Sequence, residues 1–280
     1  MAAVPVHLLE AGVVTEQRFA ALGGAPAALG PAVSERIRPD KKVRIPFVPR
    51  DRWLTAARES CRTLAEAVRS TMAAGAVPVV LGGECTVVAG SVSGALTVEP
   101  DLALVYFDAH GDFNTLATTP THYVAGMCLA HVCGRKVAPL LWPGARTISD
   151  DRVALVGGRA LDPGEAGNLQ LSRVTRVAFD REHPDAPGLL AWARRKPLLI
   201  HVDIDVVDPA EVPAVVNPVP GGPRLRSLAD ILSALAAVAT VRGVELCGYD
   251  PQRDEGARLA GPLADLVAAA AAKAAVPVAR

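Results

Sequence analysis

The sequence has no surplus of either charge. Its 29 Lys and Arg balance 29 Asp and Glu across 280 residues, so it offers no broad basic field for nucleic acid or an anionic membrane. Small-molecule partners are expected instead. It also lacks an uninterrupted apolar run of membrane-spanning length. The Ala-rich end, LADLVAAAAAKAAVPVAR, is broken by Lys273 and Pro277 and reads as a surface helix. At the other end, MAAVPVHLLEAGVV does not show the basic stretch and apolar core of a secretory signal. The five cysteines, Cys61, Cys85, Cys128, Cys133 and Cys247, are too few, too scattered and odd in number for a disulfide framework. A reducing, cytoplasmic setting is expected.

What is present is alternation. Short runs rich in Val, Ile and Leu (VPVVL, LALVYF, RVALVG, RVTRVAF, PLLIHVDI, VRGVELC) are separated by amphipathic stretches such as DRWLTAARESCRTLAEAVRSTMAAG. This pattern predicts βαβ units and an α/β fold whose parallel sheet is covered on both faces. No Pro/Gly/Ser linker, charge block or internal repeat divides the chain, so residues 1–280 are expected to form a single domain. Ligands of open parallel sheets bind outside the carboxyl ends of the strands. Three runs end in strongly polar sequence: VVL into GGECT, LALVYF into DAHGDFN, and LLIHV into DIDVVDP.

DAHGD spaces Asp108, His110 and Asp112 two residues apart, which in extended chain puts their side chains on one face. Alone, the motif equally describes a helix N-cap beside a loop histidine. Asp203 and Asp205 repeat the spacing at the end of a second strand. Four carboxylates and an imidazole brought together would repel one another unless a cation neutralised them. A donor set so rich in carboxylate suits Mn²⁺, and its size exceeds the needs of one ion. Hydrolysis by water activated at a two-metal site is therefore expected.

The motifs GGAPAALGPAVSERIR, GGECT, DAHGDFNT, THYVAGM, GGRALDPGE, HVDIDVVDP, NPVPGG and GYDP follow one another as in the ureohydrolases, and over most of its length the chain resembles that family of arginases, agmatinases and relatives. The resemblance implies an arginase-like three-layer fold with a parallel sheet of about eight strands flanked by helices. It also implies two Mn²⁺ ions and attack of a metal-bridging hydroxide on a guanidine carbon. It assigns Asp108, Asp112 and Asp203 to the first ion and Asp108, His110, Asp203 and Asp205 to the second. Asp112, hydrogen-bonded to the nucleophile, is the expected catalytic residue. Where the family usually reads GGDHS and its histidine completes the first ion's ligands, this chain has Cys85. A thiol beside a dication is deprotonated, so Cys85 is expected to ligate as thiolate.

Other departures lie around the substrate. Ala125 replaces the family's proton-shuttle histidine, Tyr123 stands where arginases have Asn, and Gly248 occupies the position of the glutamate that contacts the guanidinium. Asn114 and Thr121 match residues that contact a substrate carboxylate. Asp162 and Glu165 match residues that contact an α-amino group directly or through water. The amino-acid end of the site thus looks like arginine's. A thiolate adds negative charge near the metals and the missing glutamate removes it near the guanidine, which favours a less basic, N-hydroxylated guanidine that Tyr123 could contact. An arginase, another guanidino-acid hydrolase, and a silent amino-acid-binding relative remain alternatives. His201 is expected to point away from the cluster, His122 to be a solvated loop residue, and Cys128 and Cys133 to be core thiols. Family members are often trimers or hexamers; with no obvious extra tail after the last predicted helix, a monomer is expected.

Overall fold

The computed structural model describes residues 4–135 and 139–271. Its centre is one eight-stranded, wholly parallel sheet: β1 (Val6–Ala11), β2 (Lys41–Arg44), β3 (Val77–Gly82), β4 (Ala103–Phe107), β5 (Val153–Val156), β6 (Thr175–Val177), β7 (Pro197–Asp203) and β8 (Thr240–Cys247), in the order β2-β1-β3-β8-β7-β4-β5-β6. The helices are α1 (Ala25–Ile37), α2 (Trp53–Ala73), α3 (Val88–Ala95), α4 (Cys128–Val132), α5 (Pro163–Gln170), α6 (Leu189–Ala193), α7 (Leu225–Val238) and α8 (Ala260–Ala271).

Alternation along the strands builds two cores. Val79, Leu81, Val105, Phe107, Ile200 and Val202 face the layer of α1, α6, α7 and α8, whereas Val80, Leu104, Tyr106 and Leu199 face α2, α3 and α4. Because both faces are covered, the inner strands read as continuous apolar runs. The edges are blunted differently. β2 is KKVR, exposed and charged, and β6 is only three residues long, both of which discourage pairing with another chain. The Ala-rich helix α8 buries Leu263, Ala264, Leu266, Val267 and Ala270, and Lys273 and Pro277 lie outside the described residues. Among the described residues, no helix is long and apolar enough to cross a membrane.

One connection positions everything that follows. After β3 the chain does not continue to the neighbouring place in the sheet but crosses to β4, leaving room for β7 and β8, which arrive last. The four central strands therefore end side by side at one edge, and they deliver Cys85, Asp108, Asp203 and Gly248. Such a reversal of strand order is where doubly wound sheets open a ligand crevice.

Candidate metal centre and substrate cavity

A cavity of about 500 Å³ opens at that edge. It is lined by all eleven residues singled out from sequence: Cys85, Asp108, His110, Asp112, Asn114, Thr121, Tyr123, Asp162, Glu165, Asp203 and Asp205. How they arrive differs from simple strand alternation. Asp112 has φ +47°, a left-handed conformation that Asp tolerates better than most residues, so the chain turns after Gly111 instead of running on extended. At Gly111 a Cβ would lie 2.7 Å from the Glu165 carboxyl, so any larger residue would have to displace that side chain. Asp205 sits in a 3-10 turn after β7, its N–H donating to Asp203 Oδ1 at 2.9 Å.

Among the described residues three triads of donors come together, two of which contain Asp108: Cys85, Asp108 and Asp203, and Asp108, His110 and Asp205; the third is Cys85, His201 and Cys247. Within each, the ligating atoms lie within 4.8 Å of one another. The Cys85 thiol donates to Asp203 Oδ2 at 2.9 Å and is 3.7 Å from Asp108 Oδ2. His110 Nδ1 is 3.3 Å from Asp108 Oδ1 and 3.1 Å from Asp205 Oδ2. Asp112 stands outside all three triads and accepts a 2.6 Å hydrogen bond from the Tyr106 hydroxyl.

The electrostatics show what this crowding costs. Burial pushes Asp203 well above the ordinary carboxylate range, and the charges of Asp205, Cys247 and Asp108 push it further. Asp112 is raised by burial and by Asp108, and Asp205 by the same two causes. Burial would raise Asp108 too, but His110 outweighs it and holds that carboxyl below its usual value. Burial likewise raises the Cys85 thiol, with Cys247 and Asp203 adding to it. The fold thus holds like charges together in a dry place and keeps a thiol protonated beside them. A dication is the group that relieves both strains, because it attracts the carboxylates and releases the thiol proton. The residues present fit a pair of divalent ions, with Asp108 common to the first two triads.

The substrate side is a network of satisfied polar groups. Asn114 Nδ2 donates to Asp162 Oδ2 at 2.9 Å and its Oδ1 accepts from Thr118 at 3.0 Å. Glu165 uses one oxygen to accept from Phe113 N at 2.8 Å and the other from Asp162 N at 3.2 Å, so it fixes the loops as well as facing the cavity. Thr121 is exposed and accepts from Tyr123 N. The Tyr123 hydroxyl donates to Glu84 Oε2 at 2.6 Å. Ala125 is a buried part of the wall, His122 is exposed, Cys128 is buried and Cys133 half-buried.

The position of His201 corrects an expectation. Two residues before Asp203, it lies on the same side of β7. It is fully buried, with its ring stacked on Tyr106 at 4.0 Å and its Nδ1 2.5 Å from Glu245 Oε1. Sequence reasoning also passed over Glu84, Arg18 and Phe19, which line the cavity. Glu84 sits inside GGECT and was open to notice. Burial raises its carboxyl, while hydrogen bonds from Tyr123, Thr15 and Thr86 oppose this, leaving it near pKa 7. Arg18 and Phe19 carry no motif. Phe19 packs on Tyr123 with ring centroids 4.6 Å apart, and the Arg18 guanidinium covers both rings.

Known proteins share the fold and much of the sequence. A sequence profile described as "Arginase family" matches residues 26–275. An arginase from Eremothecium gossypii is 33% identical over 213 residues, 71% of this chain and 52% of that protein. The chain therefore spans about half of that relative's length. An N(omega)-hydroxy-L-arginine amidinohydrolase from Streptomyces lavendulae is 32% identical over 209 residues, 73% of each chain. The crystal structure of an arginase from Bacillus cereus superposes with a TM-score of 0.82 at 24% identity, covering 96% of this chain and 98% of that one. The strand order, the acids at the central strand ends and the profile match agree: this chain belongs to the arginase family.

Proposed function

We propose that the chain hydrolyses Nω-hydroxy-L-arginine to hydroxyurea and L-ornithine with two Mn²⁺ ions, as a step of D-cycloserine biosynthesis. The observation that carries this reading is Cys85, a thiol 2.9 Å from Asp203 where the family's histidine would stand. With Ala125 and Tyr123 it makes a combination that resembles the hydroxyarginine hydrolase of that pathway. Cys85, Asp108, Asp112 and Asp203 would hold one ion and Asp108, His110, Asp203 and Asp205 the other. Bound together, the ions would lower the pKa of a water toward neutrality and so supply the nucleophile.

The chain's own residues do the rest. Asn114 and Thr121 receive the substrate carboxylate, while Asp162 and Glu165 receive the α-amino group. The Tyr123 hydroxyl, already donating to Glu84, keeps lone pairs to accept from an N-hydroxyl. Tyr106 fixes one oxygen of Asp112, so the carboxylate is placed to take a proton from the attacking water and return it to ornithine's δ-nitrogen. Losing a positioned shuttle such as the absent histidine costs on the order of 10²–10⁴-fold. A guanidine of lower basicity needs less of that help, and it does not need the carboxylate that Gly248 lacks.

The test is ornithine release from L-arginine and from Nω-hydroxy-L-arginine, with and without Mn²⁺. Release should depend on manganese and favour the hydroxylated substrate. Equal or better turnover of arginine would make the protein an ordinary arginase, and release from neither would leave an amino-acid-binding protein. In Cys85→His combined with Tyr123→Asn, the ratio of activities should move toward arginine.

A further inference from the structure

One buried acid of the cavity wall has no part of its own in the hydrolysis: Glu84, which follows β3. The chain leaving β1 holds it in place. Gly83 N donates to Ala11 O at 3.2 Å, Glu84 N to Val13 O at 3.1 Å, and Thr15 N to Glu84 Oε1 at 2.7 Å. The Thr86 hydroxyl reaches that same oxygen at 3.3 Å. With Oε1 so occupied, Oε2 is left to accept from the Tyr123 hydroxyl at 2.6 Å.

The tyrosine is fixed as firmly. Its ring packs on Phe19 with centroids 4.6 Å apart, and the Arg18 guanidinium lies 5.5 Å from its centroid. A phenol has one proton to donate and lone pairs to accept with. Because the proton is committed to Glu84, Tyr123 offers an incoming ligand lone pairs only. The carboxylate also makes that oxygen a better acceptor, since linked hydrogen bonds polarise one another. This wall of the cavity therefore has a polarity: it takes donors and refuses acceptors.

We propose that Glu84 is a positioning residue that locks Tyr123 as an acceptor, so that the wall selects a guanidine whose distal end carries an O–H over one capped to carry an acceptor alone. This selection presupposes the hydroxylated substrate proposed above and assigns the residue behind recognition of its hydroxyl. An N-hydroxyl donates to Tyr123 through its proton. An N-methoxy group at the same place has lone pairs but no proton, and it meets the tyrosine oxygen lone pair to lone pair. Leaving such a polar group unpaired is how a site built for a hydroxyl rejects an analogue without one.

Glu84→Gln reverses the wall while keeping its shape. Thr15 N–H holds the amide oxygen at the Oε1 position, which puts the amide NH₂ where Oε2 was. Tyr123 then accepts from the amide and turns its own proton toward the cavity. Steady-state kinetics of the manganese-loaded full chain on Nω-hydroxy-L-arginine and Nω-methoxy-L-arginine test this. In the wild type, kcat/KM for the hydroxylated substrate should exceed that for the methoxylated one by at least about a hundredfold. In Glu84→Gln that ratio should fall by at least about tenfold, with metal content per chain unchanged. Tyr123→Phe should lower the ratio as well, and adding Glu84→Gln to it should change the ratio no further, because Glu84 acts through that hydroxyl. A wild-type ratio near one, a ratio that survives Glu84→Gln, or losses that add in the double variant overturns the proposal. If the wild type prefers hydroxyarginine to arginine while Glu84→Gln keeps the ratio, the hydrolytic reading stands and the role of Glu84 falls. If arginine is turned over at least as well, the hydrolytic reading falls and the hydroxy-to-methoxy ratio still decides for or against Glu84. Release from no guanidine ends both.

Discussion

Putting the family's glutamate back at position 248 is the most informative single change, because the structure opposes it on two counts. Gly248 has φ +82°, and a Cβ built there would lie 2.2 Å from Asp203 Oδ1, 2.7 Å from its Cγ and 2.8 Å from Oδ2. A left-handed conformation costs a non-glycine residue about 1–2 kcal/mol. The Asp203 carboxylate must also retreat by about 0.8 Å, from 2.2 Å to the 3.0 Å below which Cβ contacts essentially never occur. For a chain of this size the backbone term alone lowers Tm by about 2–8 °C. Misplacing a functional group by roughly 1 Å costs about a hundredfold in rate. Gly248→Glu should therefore lose manganese and activity on every guanidine together, with no gain on L-arginine. Gly248→Ala, which adds the Cβ without the carboxylate, should show nearly the same loss. The assays are metal content per chain by mass spectrometry, Tm by calorimetry and ornithine release. A Gly248→Glu protein that keeps its metal and gains arginase activity would show that Asp203 has room to spare, and the steric argument would fail.

Three further outcomes follow from side chains already described. Tyr106→Phe removes the 2.6 Å hydrogen bond to Asp112, and a hydrogen bond to a charged group is worth about 1.5–3 kcal/mol; stability should fall by that order and turnover with it, while an unchanged Tm and rate would remove Tyr106 from the site. Neither ring nitrogen of the buried His131 has a hydrogen-bond partner among the described residues, and burial lowers its pKa from 6.5 to about 4. The folded state therefore resists protonation: stability is complete above pH 6.5 and drains away as pH falls toward 4, by about 3 kcal/mol. In His131→Leu, urea midpoints at pH 7 and pH 4.5 should differ less than in the wild type. Saturating Mn²⁺ at about a hundred times its Kd should add about 2.7 kcal/mol, and chelation should remove it; a Tm indifferent to both would deny the acids their cation.

How far the sequence announced all this depends on where each residue sits. The buried inner strands were legible because a run such as PLLIHVDI needs no polar face, and the acids were legible because they close those strands. β2 was not, since KKVR at a charged edge carries neither alternation nor an apolar run. The spacing of Asp108, His110 and Asp112 promised one extended face, yet Asp112 reaches the cavity through a left-handed turn, a feature that periodicity does not encode. His201 was given the wrong direction, although a two-residue offset from Asp203 sufficed to place both on one side. The partnership of Tyr123 with Glu84 joins residues 39 apart. Arg18 and Phe19 come from a segment without a motif, so only the folded chain shows them at the cavity.

The crossing from β3 to β4 has a consequence for synthesis. When the first half of the chain has left the ribosome, β3 and β4 are both available, but the strands that must lie between them, β7 and β8, have not yet been made. Two half-sheets must wait for insertion down the middle, a topology rich in distant pairings and hence slow to complete. Asp203 and Asp205 after β7 meet Asp108 and Asp112 after β4 only when these two strands pair. A divalent ion held by those acids would thus favour the pairing of β4 with β7 as well as the finished fold.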